Sequence, residues 1–339
     1  MKKLYLVLVV GVCMILSPIF ASAEGFTISV KPEIPDNQKD TSQTMYNIQM
    51  APNEEKEYVL HVTNDGEEER KVAIMMTDAT TLPDGTIDMS NPQVKLIKKA
   101  KNKLSELASL QQDTLVIPAK STKDATFTIK TPKEEMPGII LGAIYVLDKN
   151  EKGNSKDNEK AGMSIRNQMG YTTEVMLSLS DQQVKAKLAL DKLKVGTYMG
   201  HPSLEIPIQN INPNIVPNVT VKTEIKKVGA SEILVTDTKK NNQLAPQAFF
   251  PHQVKLSEDK IKNGTYTALI KADSDYGHWE WQREFKITKH QAKDINQRTE
   301  QGVNKLPWWV YILIIIGLIL VILVSYLIYN VRKKNDNKK

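Results

Sequence analysis

Residues 308–331 carry no charged side chain. The run opens Trp308-Trp309-Val310-Tyr311-Ile312-Leu313 and stays apolar to Ile328. A helix of about 20 such residues, rising about 1.5 Å each, crosses the ~30 Å hydrocarbon layer of a bilayer. Residues 307–331 are long enough to do so with some tilt. Trp308 and Trp309 at one end and Tyr326 and Tyr329 at the other suit the headgroup layers. Arg332, Lys333, Lys334, Lys338 and Lys339 follow at once. Positive charge beside a span stays on the cytoplasmic side. The expectation is one transmembrane helix at 307–331, a cytoplasmic basic tail at 332–339, and all earlier residues outside the cell membrane.

The other end agrees. Lys2 and Lys3 precede an apolar run, and Ala21-Ser22-Ala23 is a small-x-small cleavage site. This predicts a signal peptide over 1–23. Cys13 lies inside it. Val12 is too large to precede a lipidated cysteine, so Cys13 reads as an ordinary leader residue. The mature chain then has no cysteine and uses no disulfide.

The formal net charge is +6. The two leader lysines and the basic tail account for all of it, leaving the stretch between them about neutral. The basic balance therefore belongs to membrane topology and gives no reason to expect a nucleic-acid partner.

The outer portion is long enough for two domains. Period-2 alternation predicts strands at 26–30, 46–50, 57–63 and 70–77, with a turn at Asn64-Asp65-Gly66. Residues 94–110, with Leu96, Ile97, Ala100, Leu104, Leu107 and Leu110, read as a helix with lysines on its outer face. Further strands are expected at 114–118 and 125–130, and 139–147 reads as a central strand buried on both faces. The polar run at 149–160 reads as a linker. Eight more strands follow between 171 and 288, and 290–306 reads as a polar stalk. The fold class is all-β: two immunoglobulin-like β-sandwich domains, at 24–148 and 161–289, plus the C-terminal transmembrane helix.

Catalytic chemistry is hard to find. His61, His201, His252, His278 and His290 are far apart, and no zinc-protease helix, phosphate loop or dinucleotide motif occurs. Gly162-Met163-Ser164 lacks the trailing glycine of a nucleophile elbow. Asp273, Asp275 and Glu284 suggest a calcium loop only faintly, because His278 stands where glycine is required. No enzyme, metal or cofactor is expected. Trp279 and Trp281 are two apart, so on a strand they share a face with Phe285. They either fill a sandwich core or form a ring platform for a sugar or partner.

The chain also resembles a known family. Residues 26–38 with Tyr46-Asn47-Ile48 and Ala51-Pro52 are similar to the start of a WxL-interacting protein. Residues 136–145 (Met-Pro-Gly-Ile-Ile-Leu-Gly-Ala-Ile-Tyr) resemble the end of its first domain, with Ala143 where the family usually has a second glycine. Asn210, residues 244–249, Gly264-Thr265-Tyr266, Trp279-Glu280-Trp281 and Phe285-Lys286-Ile287 resemble its second domain. The resemblance implies a Gram-positive surface protein with a peptidoglycan-binding domain followed by a host-binding domain, working beside secreted WxL-domain proteins. No tryptophan here is followed by x-Leu, so the chain reads as the membrane-held partner. The function expected is a non-enzymatic anchor and adaptor that binds peptidoglycan and WxL-domain proteins. Alternatives are an adhesin for extracellular-matrix proteins such as collagen or fibronectin, and a sensor subunit of a surface complex.

Overall fold

The structure, a computed structural model, describes residues 27–149, 169–182, 184–256, 261–302 and 309–320, with Leu323 and Tyr326. The expected leader, most of the 149–160 run, and the basic tail lie outside the described residues. Strand takes 53% of the described residues and helix 11%, so the chain is all-β, as expected.

The chain forms two compact units. The first holds the residues up to Ala189 together with Gln209–Asn218 and Asn242–Phe250. Its first sheet has the order β1 (Ile28–Pro32), β3 (Glu55–Asn64), β9 (Ser121–Lys130), β7 (Ala108–Leu110). Its second has the order β2 (Tyr46–Gln49), β11 (Gly170–Ser178), β10 (Ile139–Asp148), β4 (Arg70–Asp78), β8 (Thr114–Ile117). Alternation decides which face of each strand is buried. On β3, Tyr58, Leu60 and Val62 point inward; on β9, Ala125, Phe127 and Ile129 do. Both sheets feed one core. At its centre Tyr46, Tyr58 and Phe127 pack with ring centroids 5.4–5.9 Å apart. Burial pushes the Tyr58 phenol up to about 12, so it stays neutral, and it accepts a hydrogen bond from Asn37 Nδ2 at 2.9 Å.

β10 is the central strand anticipated, with residues 140–144 all buried. A Cβ on Gly142 would lie 2.1 Å from the Thr77 carbonyl oxygen and 2.8 Å from Leu104 Cδ2, so only glycine fits. β11 pairs antiparallel with β10 over nine residue pairs. It follows the polar run at 149–160 in sequence, yet it completes the first sandwich. That run therefore joins two neighbouring strands of one sheet, whereas the sequence reading made it a link between domains.

The helix expected over 94–110 is not formed. Only α1 (Leu104–Leu107) is helical, and β7 follows directly. The apolar residues that suggested one helical face serve two clusters. Leu104 enters the main core, while Leu96 packs with Ala79, Leu141, Ala245 and Ala248. A single helix cannot present both. Asn102, with φ 53°, turns the chain between them.

The second unit comprises Leu190–Ile208, Val219–Asn241 and residues from Pro251 onward. β14 (His201–Asn210) is flanked by β12 (Leu188–Leu190), β13 (Lys194–Tyr198) and β17 (Phe249–Lys255). The other sheet has the order β16 (Ile233–Leu244), β15 (Val216–Lys227), β18 (Gly264–Ser274), β19 (Gly277–Ile287). This is the pairing scheme of the first sandwich again: β8-β4-β10-β11 corresponds to β16-β15-β18-β19, and β3-β9 to β14-β17.

The repeat extends to one buried side chain. Asn64, fully buried at the end of β3, donates from Nδ2 to the carbonyls of Glu68 (2.7 Å), Ile117 (3.1 Å) and Pro118 (3.1 Å). Its Oδ1 accepts from Gly66 N at 3.0 Å. Asn210, fully buried at the end of β14, donates to Asn214 (2.7 Å), Ala245 (3.0 Å) and Leu244 (3.4 Å) and accepts from Asn212 N at 3.3 Å. The spacing is the same in both: i+2 for the donor amide and i+4 for the near carbonyl.

The described part of the stretch expected as a stalk is helical: α2 spans Lys289–Gly302, and residues 303–306 lie outside the described residues. Thr288 and Gln291 form a reciprocal capping box, with Thr288 N to Gln291 Oε1 at 3.0 Å and Gln291 N to Thr288 Oγ1 at 3.1 Å. Ala292, Ile295 and Thr299 form its buried face, and it packs against β13. Asn296 clasps both backbone groups of Ile261, at 2.9 and 3.1 Å. Residues 309–320 are helical with their large apolar side chains exposed. Among the described residues no helix is long and apolar enough to cross a membrane. Apart from Leu323 and Tyr326, the rest of the expected span lies outside them.

Asn64→Ala leaves buried carbonyls without a donor and is expected to cost about 2–3 kcal/mol in denaturant unfolding. Asn64→Asp turns an acceptor toward those same carbonyls. Its thermal midpoint is expected to fall further below wild type as pH rises from 4 to 8, because the ionised form is the one the site rejects.

Candidate functional site

The polar clusters in the described residues are structural pairs. His61 Nδ1 lies 2.7 Å from Asp124 Oδ1, its register partner across β3 and β9, with Glu33 at 3.6 Å. His278 likewise faces its partner Asp273 at 2.8 Å. His252 is fully buried, 3.3 Å from Asp237. Among the described residues no group of three His, Cys, Asp or Glu could hold a metal ion. The faint calcium triplet is not assembled. Asp273 is taken by His278, and Glu284 lies six residues further along β19, about 20 Å at strand rise.

Two surfaces remain as candidates. The first lies in the first unit, on the outer face of the β4–β10–β11 sheet. The Asp78 carboxylate, buried at the end of β4, accepts from Ser105 N at 3.1 Å and Ser105 Oγ at 2.5 Å and so caps α1. After it, β5 (Thr80–Thr81) and β6 (Ile87–Asp88) form a hairpin over the turn Leu82-Pro83-Asp84-Gly85-Thr86. Gly85 takes φ 88°, and a Cβ there would lie 2.1 Å from Asn242 Oδ1. The chain then runs irregularly to Lys103. A small cleft is lined by Asp78, Leu96, Lys101, Lys103, Ile139 and Gln247.

Gln247 fastens this loop. Ile97 N donates to its carbonyl at 3.2 Å, and Lys101 N to its Oε1 at 2.8 Å. Its Nε2 donates back to the Lys101 carbonyl at 3.1 Å. Between these points Ala100 N bonds the Ile97 carbonyl at 2.9 Å, which makes Lys98 and Lys99 the tip of a tight turn. Lys103 is tied to Glu106 at 2.7 Å. The sequence reading took these lysines for the wet face of a helix. One signal could have exposed them: between Asp88 and Glu106 there is no acidic residue.

The second surface is on β19 in the second unit. Trp279 and Trp281 lie on one face, opposite Ala272 and Ile270 of β18. Further along that face Phe285 and Ile287 are buried, and Phe285 stacks on Tyr266 with centroids 5.6 Å apart. The tryptophans themselves are only half-buried. The indole of Trp279 leans over Gly277, where an added Cβ would come within 3.0 Å of the ring. β19 is the edge of its sheet. The two rings thus continue the core face outward and remain partly open to solvent. Of the expected membrane anchors, Trp309 and Tyr326 are exposed. Trp308, Tyr329, Arg332, Lys333 and Lys334 lie outside the described residues.

Glu174 on β11 pairs with Ala143, and burial raises its carboxyl above the ordinary range. The folded state therefore favours the neutral acid, and stability is lost as pH climbs through the raised value. Glu174→Gln is expected to raise the thermal midpoint at pH 7. The gain should vanish below about pH 4, where both states carry the protonated acid.

Residues 28–148 match the family model described as WxL Interacting Protein, peptidoglycan binding domain, and residues 160–297 match WxL Interacting Protein, host binding domain. Both are binding domains, not enzymes. Among curated proteins none matches the chain. Similar solved structures include the E. coli chaperone DraB, at 9% identity and TM-score 0.29, covering 77% of this chain and 98% of that one. Another is the CsuC–CsuE chaperone–tip adhesion subunit complex of Acinetobacter baumannii, at 11% identity and TM-score 0.32, covering 76% and 98%. At such scores the likeness carries no argument about function. With both family domains matched in order across most of its length, the chain belongs to the WxL-interacting protein family.

Proposed function

We propose that this protein is a membrane-held adaptor of the Gram-positive surface. In this reading two immunoglobulin-like sandwiches stand outside a single span at 307–331, with the N-terminal part facing the wall and the C-terminus in the cytoplasm. The first sandwich binds peptidoglycan, and the pair holds a secreted WxL-domain protein. The observation that carries the reading is the ordered match to the two family domains, followed by a charge-free segment. Its described helical part exposes Trp309, Tyr311 and the isoleucines and leucines to 320 on all sides, as lipid-facing side chains would be. Neither sandwich offers a catalytic or metal centre among the described residues, so recognition rests on sheet edges, loops and faces.

Two outcomes are expected. Full-length protein sediments with membranes and resists an alkaline carbonate wash, whereas a chain ending at 306 appears in the medium. Detergent-solubilised full-length protein is retained on peptidoglycan stripped of other polymers and co-captures a WxL-domain protein. Retention of neither removes the reading.

A second reading, adhesion to host matrix, is favoured by the host-binding match and by the partly open tryptophans on β19. The double variant Trp279→Ala/Trp281→Ala is expected to weaken collagen or fibronectin binding about tenfold or more, while peptidoglycan retention stays at the wild-type level. Equal matrix binding by both proteins would remove this second reading.

A further inference from the structure

We propose that the loop carrying Lys95, Lys98, Lys99 and Lys101 is a docking surface for a phosphodiester polyanion threaded through the cell wall. The proposal rests on the wall-facing placement inferred above and adds a second class of ligand beside peptidoglycan.

Four observations carry it. All four lysines are exposed, and among the described residues none makes an ion pair. The stretch between Asp88 and Glu106 holds five lysines and no acid, in an outer portion whose net charge, these lysines included, is about zero. The four lysines lie within seven residues, so at low ionic strength, where the Debye length reaches about 30 Å, their fields add.

The loop is also built to hold its shape. Gln247 grips it at both Ile97 and Lys101, with three hydrogen bonds of 2.8–3.2 Å. Ile97 is buried, and Leu96 packs into the cluster around Leu141. The turn closed by Ala100 N then projects Lys98 and Lys99 away from the anchor. Little chain entropy is left to lose on binding, unlike a floppy basic tail.

The chemistry selects the partner. A lysine ammonium is a compact point charge that needs no fixed bidentate partner. A row of them suits a flexible polymer with phosphates at intervals, and the affinity comes from several weak contacts made together. A bilayer surface fits less well. Membrane-docking loops pair basic residues with exposed aromatic or large aliphatic side chains. Here the large apolar residues of the loop turn inward: Leu96 is half-buried and Ile97 is buried. The loop also falls within the residues matched by the peptidoglycan-binding model, 28–148.

The test uses the full-length chain in neutral detergent and end-labelled, lipid-free poly(glycerol phosphate), followed by fluorescence anisotropy at low and physiological salt. Wild type is expected to bind with affinity falling steeply as salt rises. The variant K95Q/K98Q/K99Q/K101Q is expected to lose about tenfold or more in affinity with a shallower salt dependence. Its thermal midpoint should match wild type, because the four side chains are exposed. A charge-matched control, K187Q/K192Q/K226Q/K227Q, removes four exposed lysines elsewhere and should bind as wild type does. Inorganic phosphate at equal phosphorus should not compete. Equal loss in the control, or unchanged binding by the loop variant, overturns the proposal. So does displacement of the polymer by phosphatidylglycerol micelles at equal phosphorus, which assigns the loop to a bilayer. Retention of wild type on stripped peptidoglycan is scored separately. Its loss alone sinks the adaptor reading, and failure of the polymer arm alone sinks this one.

Discussion

A single carboxamide at the corner of each sandwich is the contact on which the rest depends. Asn64 ends a strand of one sheet, and two of the carbonyls it holds belong to the end of β8 in the facing sheet and the residue after it. The same amide shapes the turn that carries the chain across to β4. Asn210 does this between β14 and the end of β16. Hydrophobic burial draws two sheets together but does not fix their offset. A buried amide with named partners does, because any slip of register strands its donors in an apolar interior. Apolar alternation supplies the driving force, and the clamp supplies uniqueness.

That division explains what could be read from the chain in advance. Strands such as β3, β9 and β10 announce themselves through alternation or a continuous apolar run, and their partners follow. The turn at Asn64-Asp65-Gly66 was visible, but not that its first residue is a buried tie, because turn chemistry and clamp chemistry use the same amino acid. The boundary expected at 149–160 coincides with the gap between the two family matches, yet the strand beyond it pairs with the strand before it. A polar run between apolar strands looks the same whether it separates two cores or closes a hairpin within one. Only the pairing of β10 with β11 decides between them. The capping box at Thr288 and Gln291 starts a helix where polarity alone suggested an unstructured spacer.

The candidate surfaces were half visible. The tryptophan pair stood out by residue type, and its spacing placed both rings on one face. The graded burial along β19, from open rings at one end to a sealed core at the other, needed the sheet order. The lysine loop was mistaken for a helix because Leu96, Ile97, Leu104 and Leu107 have helical spacing. The pull of two separate apolar clusters outweighed that local preference. What helical spacing could not show is that Gln247, far along the chain, would fasten the loop. Both surfaces are shallow, which suits long polymers and other proteins better than small molecules.

The pairing of β10 with β11 also bears on how the molecule is made. The final strand of the first sandwich lies beyond the polar run, so an N-terminal piece stopping before Gly170 exposes one whole side of its longest apolar strand. As the chain is synthesised the earlier strands must wait, incompletely sealed, until that run and the strand after it have emerged. Once the strand has docked, nine register pairs span the run. A protease that severed it would cut the polypeptide without parting the two pieces.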